Sequence, residues 1–406
     1  MNIFVFQKEF QENNEFVERK GIGHPDTLAD ALAEELSMKY SNYTLRNFGV
    51  VLHHNFDKVG LLGGSSYVSF GRGYLKNPIK VLINGRASIK FGKKEIPINK
   101  LLIGWAKNFF KKRLPMINVS KDLKLYLNLS SQSSPGKTYE KEAEKGARRR
   151  WFEPESIKDI PELKKLFAND TVLGVGYAPF SKLEKLIINI ERFLNSKSYK
   201  EKNPWIGSDI KIMGFRNTDA FFLTLCIPQV ANFVKTLKDY KVNIKKLRHD
   251  IERTIKKHDI ENYKLEINTR DNYKLRELYL TAIGSSIESG DEGLAGRGNR
   301  VNGLISSTKP ISIEGSCGKN PVYHVGKLYY LAAFEIADKV FKKFKTSNEI
   351  FIASQSGRDL MDPWIVAINI PKGFSKKEEL ENFVKDEIKK IPMITKKVLN
   401  RKIMLF

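Results

Sequence analysis

Apolar and polar positions along the chain recur with two different periods, which predicts a protein of mixed α and β structure. Apolar residues spaced three or four positions apart predict helices. These segments run from Thr27 onward and over residues 181–195, 325–344 and 375–391. Thr27 with Asp30, and Ser181 with Glu184, match the pattern in which a hydroxyl and a carboxylate cap the first turn of a helix.

Shorter segments that alternate between apolar and polar residues, or that are rich in β-branched and aromatic residues, predict strands. They cover residues 2–6, 50–53, 61–70, 80–91, 123–129, 221–227, 263–268, 278–283, 350–353 and 364–370. Strands and helices alternate along the chain, and no sequence repeat is evident. The predicted fold class is therefore α/β or α+β.

Composition narrows the class of protein. The 406 residues suggest two or three domains, and 41% of them are hydrophobic, which excludes a wholly disordered chain. Neither a transmembrane helix nor a signal peptide is predicted, because apolar runs are short and acids interrupt the N-terminal segment. Two cysteines are too few for a disulfide framework or a four-cysteine zinc site. We therefore expect a cytoplasmic protein that is not bound to a membrane.

The charge of the chain is strongly positive. Lysine and arginine number 70 and aspartate and glutamate 46, which gives a formal net charge of +24. Such a balance favours polyanionic partners such as nucleic acids, and also polyphosphate ligands. A lysine-rich composition spread over the whole chain explains it equally well, so the charge alone does not select a partner.

Four segments hold more glycine, charge and polar side chains than packing requires. The first is residues 18–26, ERKGIGHPD, in which His24 and Asp26 stand just before a predicted helix. Anions are favoured at that position, although a helix cap is the simpler role for Asp26. The second is residues 53–66, HHNFDKVGLLGGSS. Neighbouring residues of a strand face opposite sides, so the two histidines are not expected to share a metal ion.

The third segment, residues 131–138, reads SQSSPGKT and is close to the phosphate-binding P-loop pattern. Ser131 stands where that pattern requires its first glycine, so a true P-loop is not expected. The backbone around Gly136, together with Lys137, still suits a phosphate group.

The fourth segment, residues 289–327, combines many glycines with cations, among them Arg297, Lys319 and Lys327. Glycine lets the backbone approach a ligand closely, and lysine and arginine supply charge for phosphate oxygens. A glycine-rich surface turn would not need so many cations. This segment is the strongest candidate site.

In combination these motifs resemble the S-adenosylmethionine synthetase (methionine adenosyltransferase) family, in its archaeal-type branch. The matching segments occur in the family's order through most of the chain. They are VERKGIGHPDTLADALAEELS, LHHNFDKVGLLGGSS, INGRASIKFG, ANDTVLGVGYAPFS, GSDIKIMGFR, YLTAIGSSIESGDEGLAGRGNRVNGLI and GSCGKNPVYHVGK. Because each motif is distinctive, the resemblance is specific.

The resemblance implies three similar α/β domains around a pseudo-threefold axis. It also implies a homodimer that buries a broad sheet surface, with the active sites at that interface, and no nucleic-acid partner. We expect coarse domain ranges of 1–135, 136–275 and 276–406, with early and late segments of the chain interleaved.

The family joins ATP to L-methionine, and the resemblance implies that reaction here. The sulfur attacks C5′ of the ribose and expels triphosphate, which the same site cleaves to phosphate and diphosphate. A thioether has no proton to remove, so the reaction needs cations for the leaving oxygen rather than a general base. Magnesium is the implied cofactor, and potassium is common in the family.

The site residues follow from the resemblance, residue by residue. The implied catalytic residues are His24, Lys211, Arg297 and Lys319. The residues implied to bind substrates are Glu18, Ser134, Pro135, Gly136, Lys137, Asp170, Asp209, Asp291, His324 and Lys327. Asp26 is the implied magnesium ligand. Gly298 stands where the bacterial branch has a lysine, and no carboxylate near His54 matches the family's potassium ligand.

Two rival functions use the same residues. A P-loop phosphotransferase built on Gly136, Lys137 and Thr138 would cleave ATP at its terminal phosphate without methionine. An RNA-binding protein would lose affinity steeply as salt rises. Methionine-dependent release of triphosphate distinguishes the family's reaction from both.

Overall fold

A computed structural model describes residues 1–10, 14–131, 149–402 and 405 of the chain. Within these residues there are nine α-helices and 19 strands. The helices are α1 (Pro25–Phe48), α2 (Ile98–Arg113), α3 (Arg149–Phe152), α4 (Lys182–Leu194), α5 (Lys197–Lys202), α6 (Leu237–Lys256), α7 (Val325–Phe344), α8 (Lys377–Ile388) and α9 (Pro392–Leu399). None of the helices in this part of the chain has the length and apolar character that a membrane crossing requires.

The strands range from two residues to nine residues in length. They are β1 (Asn2–Lys8), β2 (Asn14–Lys20), β3 (His54–Leu62), β4 (Ser65–Ser69), β5 (Arg72–Asn77), β6 (Ile79–Ala87), β7 (Lys90–Phe91), β8 (Lys94–Glu95), β9 (Leu123–Ser130), β10 (Leu173–Ala178), β11 (Lys211–Asn217), β12 (Ala220–Cys226), β13 (Gln229–Val230), β14 (Tyr263–Ile267), β15 (Leu280–Thr281), β16 (Glu292–Leu294), β17 (Ile305–Ser306), β18 (Asn348–Ala353) and β19 (Ile365–Pro371).

Three larger sheets organise the fold. Sheet 1 has the strand order β1-β19-β18-β10, sheet 2 the order β14-β12-β11-β2-β17, and sheet 3 the order β16-β3-β6-β9. Each sheet contacts a pair of helices, which are α7 and α8 for sheet 1, α4 and α6 for sheet 2, and α1 and α2 for sheet 3. The predicted mixed α/β class is confirmed. Each larger sheet with its two helices forms one unit, and the three units contain the same kinds of element.

Each of these sheets combines segments that are distant in the sequence. β1 pairs in parallel with β19, while β2 lies between β11 and β17 in sheet 2. The first 20 residues therefore contribute to two sheets. The ranges 1–135, 136–275 and 276–406 do not each contain one sheet, because the units are interleaved along the chain.

The apolar core is divided between these units. Sheets 1 and 3 share one continuous core, in which Leu32 and Leu36 of α1 and Tyr329 of α7 are fully buried. Sheet 2 has a separate core around Leu186 and Ile190 of α4. α1 therefore belongs to the larger core, while the turn before it joins sheet 2 through the hydrogen bonds from Gly21 and Gly23 to residues 210 and 208.

The face of sheet 2 that points away from its helices is called here the outer face. Its side chains form four rows across β2, β11 and β12, because residues in register on neighbouring strands point to the same side. One row contains the aromatic residues Phe16, Phe215 and Phe222, and the row at one edge contains Lys20, Lys211 and Cys226. The aromatic row is exposed, with 45% of Phe16 and 43% of Phe222 accessible.

Several predicted elements are confirmed and others are wrong. The helix over 325–344 and the capping box of Ser181 and Glu184 are observed. α1 begins at Pro25 rather than Thr27, because proline fits the first turn and His24 supplies the cap. Residues 50–53 precede β3 without forming a strand. α2, α6 and β11 were not predicted, since each carries many polar residues on its exposed side.

Candidate active site

A cleft of about 670 Å³ opens beside the lysine row of sheet 2. Its lining comes from segments that are distant in the sequence, including His24, Lys211, Cys226, residues 268–271, 277–279 and Asp291. Four of the predicted site residues line it, namely His24, Asp209, Lys211 and Asp291. The fold therefore brings the GHPD turn and the glycine-rich segment after residue 284 to one place.

His24 caps α1 and lines the cleft. Its Nδ1 atom accepts a hydrogen bond of 3.2 Å from the backbone N–H of Asp26, so Nδ1 carries no proton. Burial lowers the pKa of His24 below the ordinary value for imidazole, although Asp209 and Asp26 oppose that shift. At neutral pH the ring is therefore neutral, and its Nε2–H is a hydrogen-bond donor.

Asp26 follows in the first turn of α1. One carboxylate oxygen accepts from the Leu294 N–H at 3.0 Å, and the other accepts from Lys20 Nζ at 2.8 Å. Burial opposes ionisation, but Lys20 and the Leu294 N–H together hold the pKa of Asp26 below its usual range. An ionised carboxylate thus faces the loop that carries Arg297.

Asp26 fits the implied magnesium ion. Magnesium in nucleotide sites is commonly held by one or two carboxylates together with substrate phosphates, so one ionised Asp is enough. No group of three or more His, Cys, Asp or Glu side chains that could hold a metal occurs in the described residues. A carboxylate-bound potassium ion does not fit beside His54, whose buried ring bonds Ser37 and the Leu52 carbonyl within that part of the chain.

Asp209 and Asp291 are held close together by one serine. The Ser286 hydroxyl lies 2.7 Å from Asp209 Oδ2 and 2.8 Å from Asp291 Oδ2, and the Ser286 N–H also donates to Asp209 at 2.8 Å. A hydroxyl has a single proton, so it cannot donate to both carboxylates at once. Burial raises the pKa of Asp209. The pair presents several acceptor oxygens to the cleft.

Lys211 and Glu18 form an ion pair on the outer face of sheet 2. Their charged atoms are 3.2 Å apart, and 43% of the Lys211 side chain is exposed. The Glu18 atom in this pair is Oε1, which is buried and has Lys211 as its charged partner. Lys211, being partly exposed, retains capacity to bind a ligand. The Arg297 side chain is also exposed, on the loop that follows β16.

Lys319 lies outside the cleft lining. Its ammonium is 3.1 Å from Asp57 and 2.7 Å from Glu314, with 5% of the side chain exposed. Burial alone would lower the pKa of Lys319, but the two carboxylates raise it. Gly318 fixes the local backbone, because its φ of 80° favours glycine and a Cβ there would meet the Phe56 carbonyl at 2.6 Å.

Two residues predicted to bind substrates do not line the cleft. His324 caps α7 through a hydrogen bond from the Gly326 N–H, and burial lowers its pKa well below the ordinary value. Lys327 is fully buried, with Nζ 2.8 and 2.7 Å from the two carboxylate oxygens of Glu34. Neither side chain lines the cleft, because His324 caps α7 and Glu34 holds Lys327.

The remaining predicted residues lie away from the cleft or outside the described ranges. Asp170 lies on the exposed loop before β10 and does not line the cleft. Ser134, Pro135, Gly136 and Lys137, with Thr138 of the P-loop alternative, lie outside the described residues. His53 bonds Glu162 and stacks on Tyr323, so within the described ranges it shares no metal with His54.

Sequence reasoning missed several groups at the cleft. Lys20, Cys226, Ser286 and Tyr279 were not proposed as site residues. Only Lys20 had a signal in the sequence, since it lies in the charged run ERKG directly before the GHPD turn. Cys226 ends β12 of sheet 2, whereas Tyr279 and Ser286 flank β15, which pairs with β13, so their approach to the cleft depends on pairing that has no local signal.

The chain is similar to a family of known proteins over nearly its full length. A model of the S-adenosylmethionine synthetase (AdoMet synthetase) family matches residues 2–148 and 153–402. A probable S-adenosylmethionine synthase of Aquifex aeolicus is 35% identical over 413 residues, which cover 98% of this chain and 96% of that protein. The S-adenosylmethionine synthase of Hyperthermus butylicus is 36% identical over 417 residues, with coverages of 98% and 96%.

A solved structure shares the fold. It is that of an unusual S-adenosylmethionine synthetase from Campylobacter jejuni, with a TM-score of 0.57 over 92% of this chain and 88% of that one. The two sequences are 14% identical, so this likeness concerns the fold alone.

Proposed function

The chain belongs to the S-adenosylmethionine synthetase family, and we propose that its cleft makes S-adenosylmethionine from ATP and L-methionine. The methionine sulfur bonds to C5′ of the ribose as the C5′–O bond breaks, and the released triphosphate is then hydrolysed to phosphate and diphosphate. The observation that carries this proposal is a neutral histidine donor beside Lys211 and two carboxylates in one cleft.

His24 is the donor for the leaving oxygen. Negative charge grows on that oxygen as the C5′–O bond breaks, and a preorganised N–H directed at it stabilises the transition state. The hydrogen bond from the Asp26 N–H to Nδ1 keeps the proton on Nε2, where it can be donated. The sulfur nucleophile has no proton to lose, so no general base is required.

The triphosphate is assigned to Lys211, Arg297 and Lys319. Lys211 and Arg297 support this assignment by their exposure beside the GHPD turn. Lys319 would have to exchange its contacts with Asp57 and Glu314 for phosphate oxygens. Asp26 would hold Mg²⁺, which when bound neutralises phosphate charge and assists departure of the triphosphate.

The carboxylates are assigned to the nucleoside and methionine. Asp209 faces the nucleoside, and Asp291 lies at the junction between nucleoside and methionine. Carboxylate oxygens accept from ribose hydroxyls and from an amino acid ammonium group, and the Ser286 hydroxyl lies within hydrogen-bond distance of both carboxylates. Glu18, whose Oε1 lies 3.2 Å from Lys211, supplies a further carboxylate.

We also propose that the enzyme is a cytoplasmic homodimer that uses the outer face of sheet 2. The stacked rings of Phe16 and Phe215 have centroids 4.4 Å apart, and Phe222 continues the row. An exposed apolar row of this kind favours a protein partner. Since the aromatic and lysine rows share one face, a partner covering the first would lie beside the cleft.

The direct test is incubation of the purified protein with ATP, MgCl₂ and L-methionine, followed by mass spectrometry for S-adenosylmethionine. We expect triphosphate release to depend on methionine. Release of terminal phosphate from ATP without methionine would instead indicate a phosphotransferase.

A matched variant tests the histidine. His24→Asn should lower S-adenosylmethionine formation by about 10²-fold or more, which is typical for loss of one oxyanion donor. Hydrolysis of added tripolyphosphate should fall less, because its leaving group is different. An equal loss in both steps would contradict the assigned role.

A further inference from the structure

Lys20 has a position that the assigned roles do not use. It is the last residue of β2 and lies directly opposite Lys211 in the antiparallel pair with β11. Like charges directly opposite each other on neighbouring strands are unfavourable. The carboxylates of Asp26 and Glu18 offset this repulsion, at 2.8 Å from Lys20 and 3.2 Å from Lys211. Two lysines therefore start from paired positions of the sheet, and Lys211 lines the cleft.

The backbone of Lys20 is fastened to the glycine-rich loop. The Lys20 N–H donates to Asn299 Oδ1 at 2.9 Å, and Asn299 Nδ2 donates to the Lys20 carbonyl at 2.8 Å. Thr27 of α1 donates to the same carbonyl at 3.1 Å. These bonds fix the base of the side chain relative to both the GHPD turn and the Arg297 loop.

The ammonium of Lys20 joins these two segments. It donates to Asp26 at 2.8 Å and to the Arg297 carbonyl at 2.7 Å, with 11% of the side chain exposed. The Arg297 loop has no cation at its next position, where Gly298 stands and a Cβ would lie 2.2 Å from Asp30 Oδ2. Lys20 is thus the side chain that brings a second positive charge to Arg297.

We infer that Lys20 binds the triphosphate, and that its ammonium leaves Asp26 for a phosphate oxygen when a divalent cation takes that carboxylate. This inference rests on the proposed function. A lysine and a divalent cation at one carboxylate repel each other, whereas a polyphosphate between them attracts both. In the unliganded protein Lys20 occupies the carboxylate, and in the loaded protein it supplies charge next to Lys211 and Arg297.

The inference predicts opposite effects of one substitution on two ligands. With Lys20→Met, tripolyphosphate should bind about ten- to a hundredfold more weakly, as for the loss of one charged hydrogen bond. Binding of Mn²⁺ to the free protein should become at least about threefold tighter, because the competing ammonium is gone. Isothermal titration calorimetry measures the first, and electron paramagnetic resonance of free Mn²⁺ the second.

Two further variants serve as controls. Lys20→Arg keeps the charge, so it should recover most of the tripolyphosphate affinity and keep Mn²⁺ binding as weak as in the wild type. Lys342→Met removes an exposed ammonium from Asp338 near the far end of α7, and should change neither affinity. Circular dichroism with thermal unfolding establishes that each variant is folded.

The outcomes separate this inference from the proposed function. Unchanged tripolyphosphate affinity in Lys20→Met would overturn the inference and leave the reaction intact. Parallel weakening of both ligands would also overturn it, since it would mean that Lys20 only maintains the shape of the site. If the wild-type protein makes no S-adenosylmethionine, the proposed function fails whatever Lys20 does.

Discussion

Two lysine–carboxylate pairs of nearly equal length have opposite surroundings. Lys20 lies 2.8 Å from Asp26 at the edge of the cleft, and Lys327 lies 2.7 Å from Glu34 in the core between α1 and α7. The core pair is closed, because Glu34 also accepts from the Gly318 N–H and the Lys327 side chain is fully buried. The cleft pair is open to an exchange of partners.

This contrast shows that the distance between the charged atoms does not reveal the role of an ion pair. A buried pair loses hydration on both sides and is costly to break, so it maintains structure. A pair beside a cleft keeps part of its hydration and can release either partner to a ligand. Burial therefore distinguishes Lys327, whose side chain is fully buried, from Lys20, of which 11% is exposed.

The largest expected effect comes from breaking the core pair. Lys327→Met should lower the free energy of unfolding by about 3–5 kcal/mol, because it leaves the Glu34 charge buried without its partner. Urea unfolding measures this change. The double variant Lys327→Met with Glu34→Leu should recover much of the loss. Tripolyphosphate affinity of the folded fraction should stay unchanged, and a drop in it would place Lys327 in the ligand site after all.

The converse experiment removes a cleft cation. Arg297→Ala should reduce S-adenosylmethionine formation by at least about 10²-fold, the range for loss of a transition-state charge partner. Its guanidinium is exposed, so the free energy of unfolding should change by no more than about 0.5 kcal/mol. A large loss of stability with little loss of activity would reverse the distinction between the two regions.

Acid should destabilise the folded protein through a histidine that is buried in its core. Burial lowers the pKa of folded His54 to about 3, while in the unfolded chain the ordinary value is about 6.5. Between these values the unfolded state binds the proton and the folded state does not. Stability should therefore fall as pH falls below about 6.5, by up to about 1.4 kcal/mol per pH unit for this one group.

A variant isolates that contribution. His54→Gln should make the free energy of unfolding less dependent on pH between about 4 and 6.5. Denaturant unfolding at a series of pH values measures the slope. His324 is also buried with a lowered pKa and adds to the same trend, so part of the slope should persist. An unchanged slope would exclude His54 as a source of acid sensitivity.

The smallest effect is expected for an exposed pair. Lys342 contacts Asp338 at 2.5 Å with 70% of its side chain exposed. Lys342→Met should change the free energy of unfolding by less than about 1 kcal/mol and leave S-adenosylmethionine formation unaltered. Activity and urea unfolding measured together would test this, and a change comparable to that of Lys327→Met would remove burial as the deciding factor.

The mixed fold was predictable because apolar residues recur with the periods of helices and strands. The family was predictable because short motifs of this chain match those of the family in sequence and in order. His24, Asp209, Lys211 and Asp291 were found in this way, and they line the cleft. Whether a lysine is buried does not follow from a motif, so Lys327 was assigned to a ligand although Glu34 holds it. Lys20 was overlooked because its importance depends on strand register with Lys211.

The helices were predicted best where one face is continuously apolar. α7 has its predicted bounds, and α4 differs from its prediction only at the ends. α6 was missed, since charged residues occupy half of its positions and its buried side chains are few. The pairing of the sheets had no local signal, because partners such as β1 and β19 come from opposite ends of the chain.

The pairing of β1 with β19 also sets the order of events during biosynthesis. β1 is synthesised well before its partner, which begins at Ile365. At typical elongation rates of about 5–20 residues per second, the wait lasts about 20–70 s. Among the described strands β1 pairs with β19 alone, so it has no sheet to join until β19 has been made. A chain that stops before residue 365 would therefore lack β19 and also leave β1 unpaired.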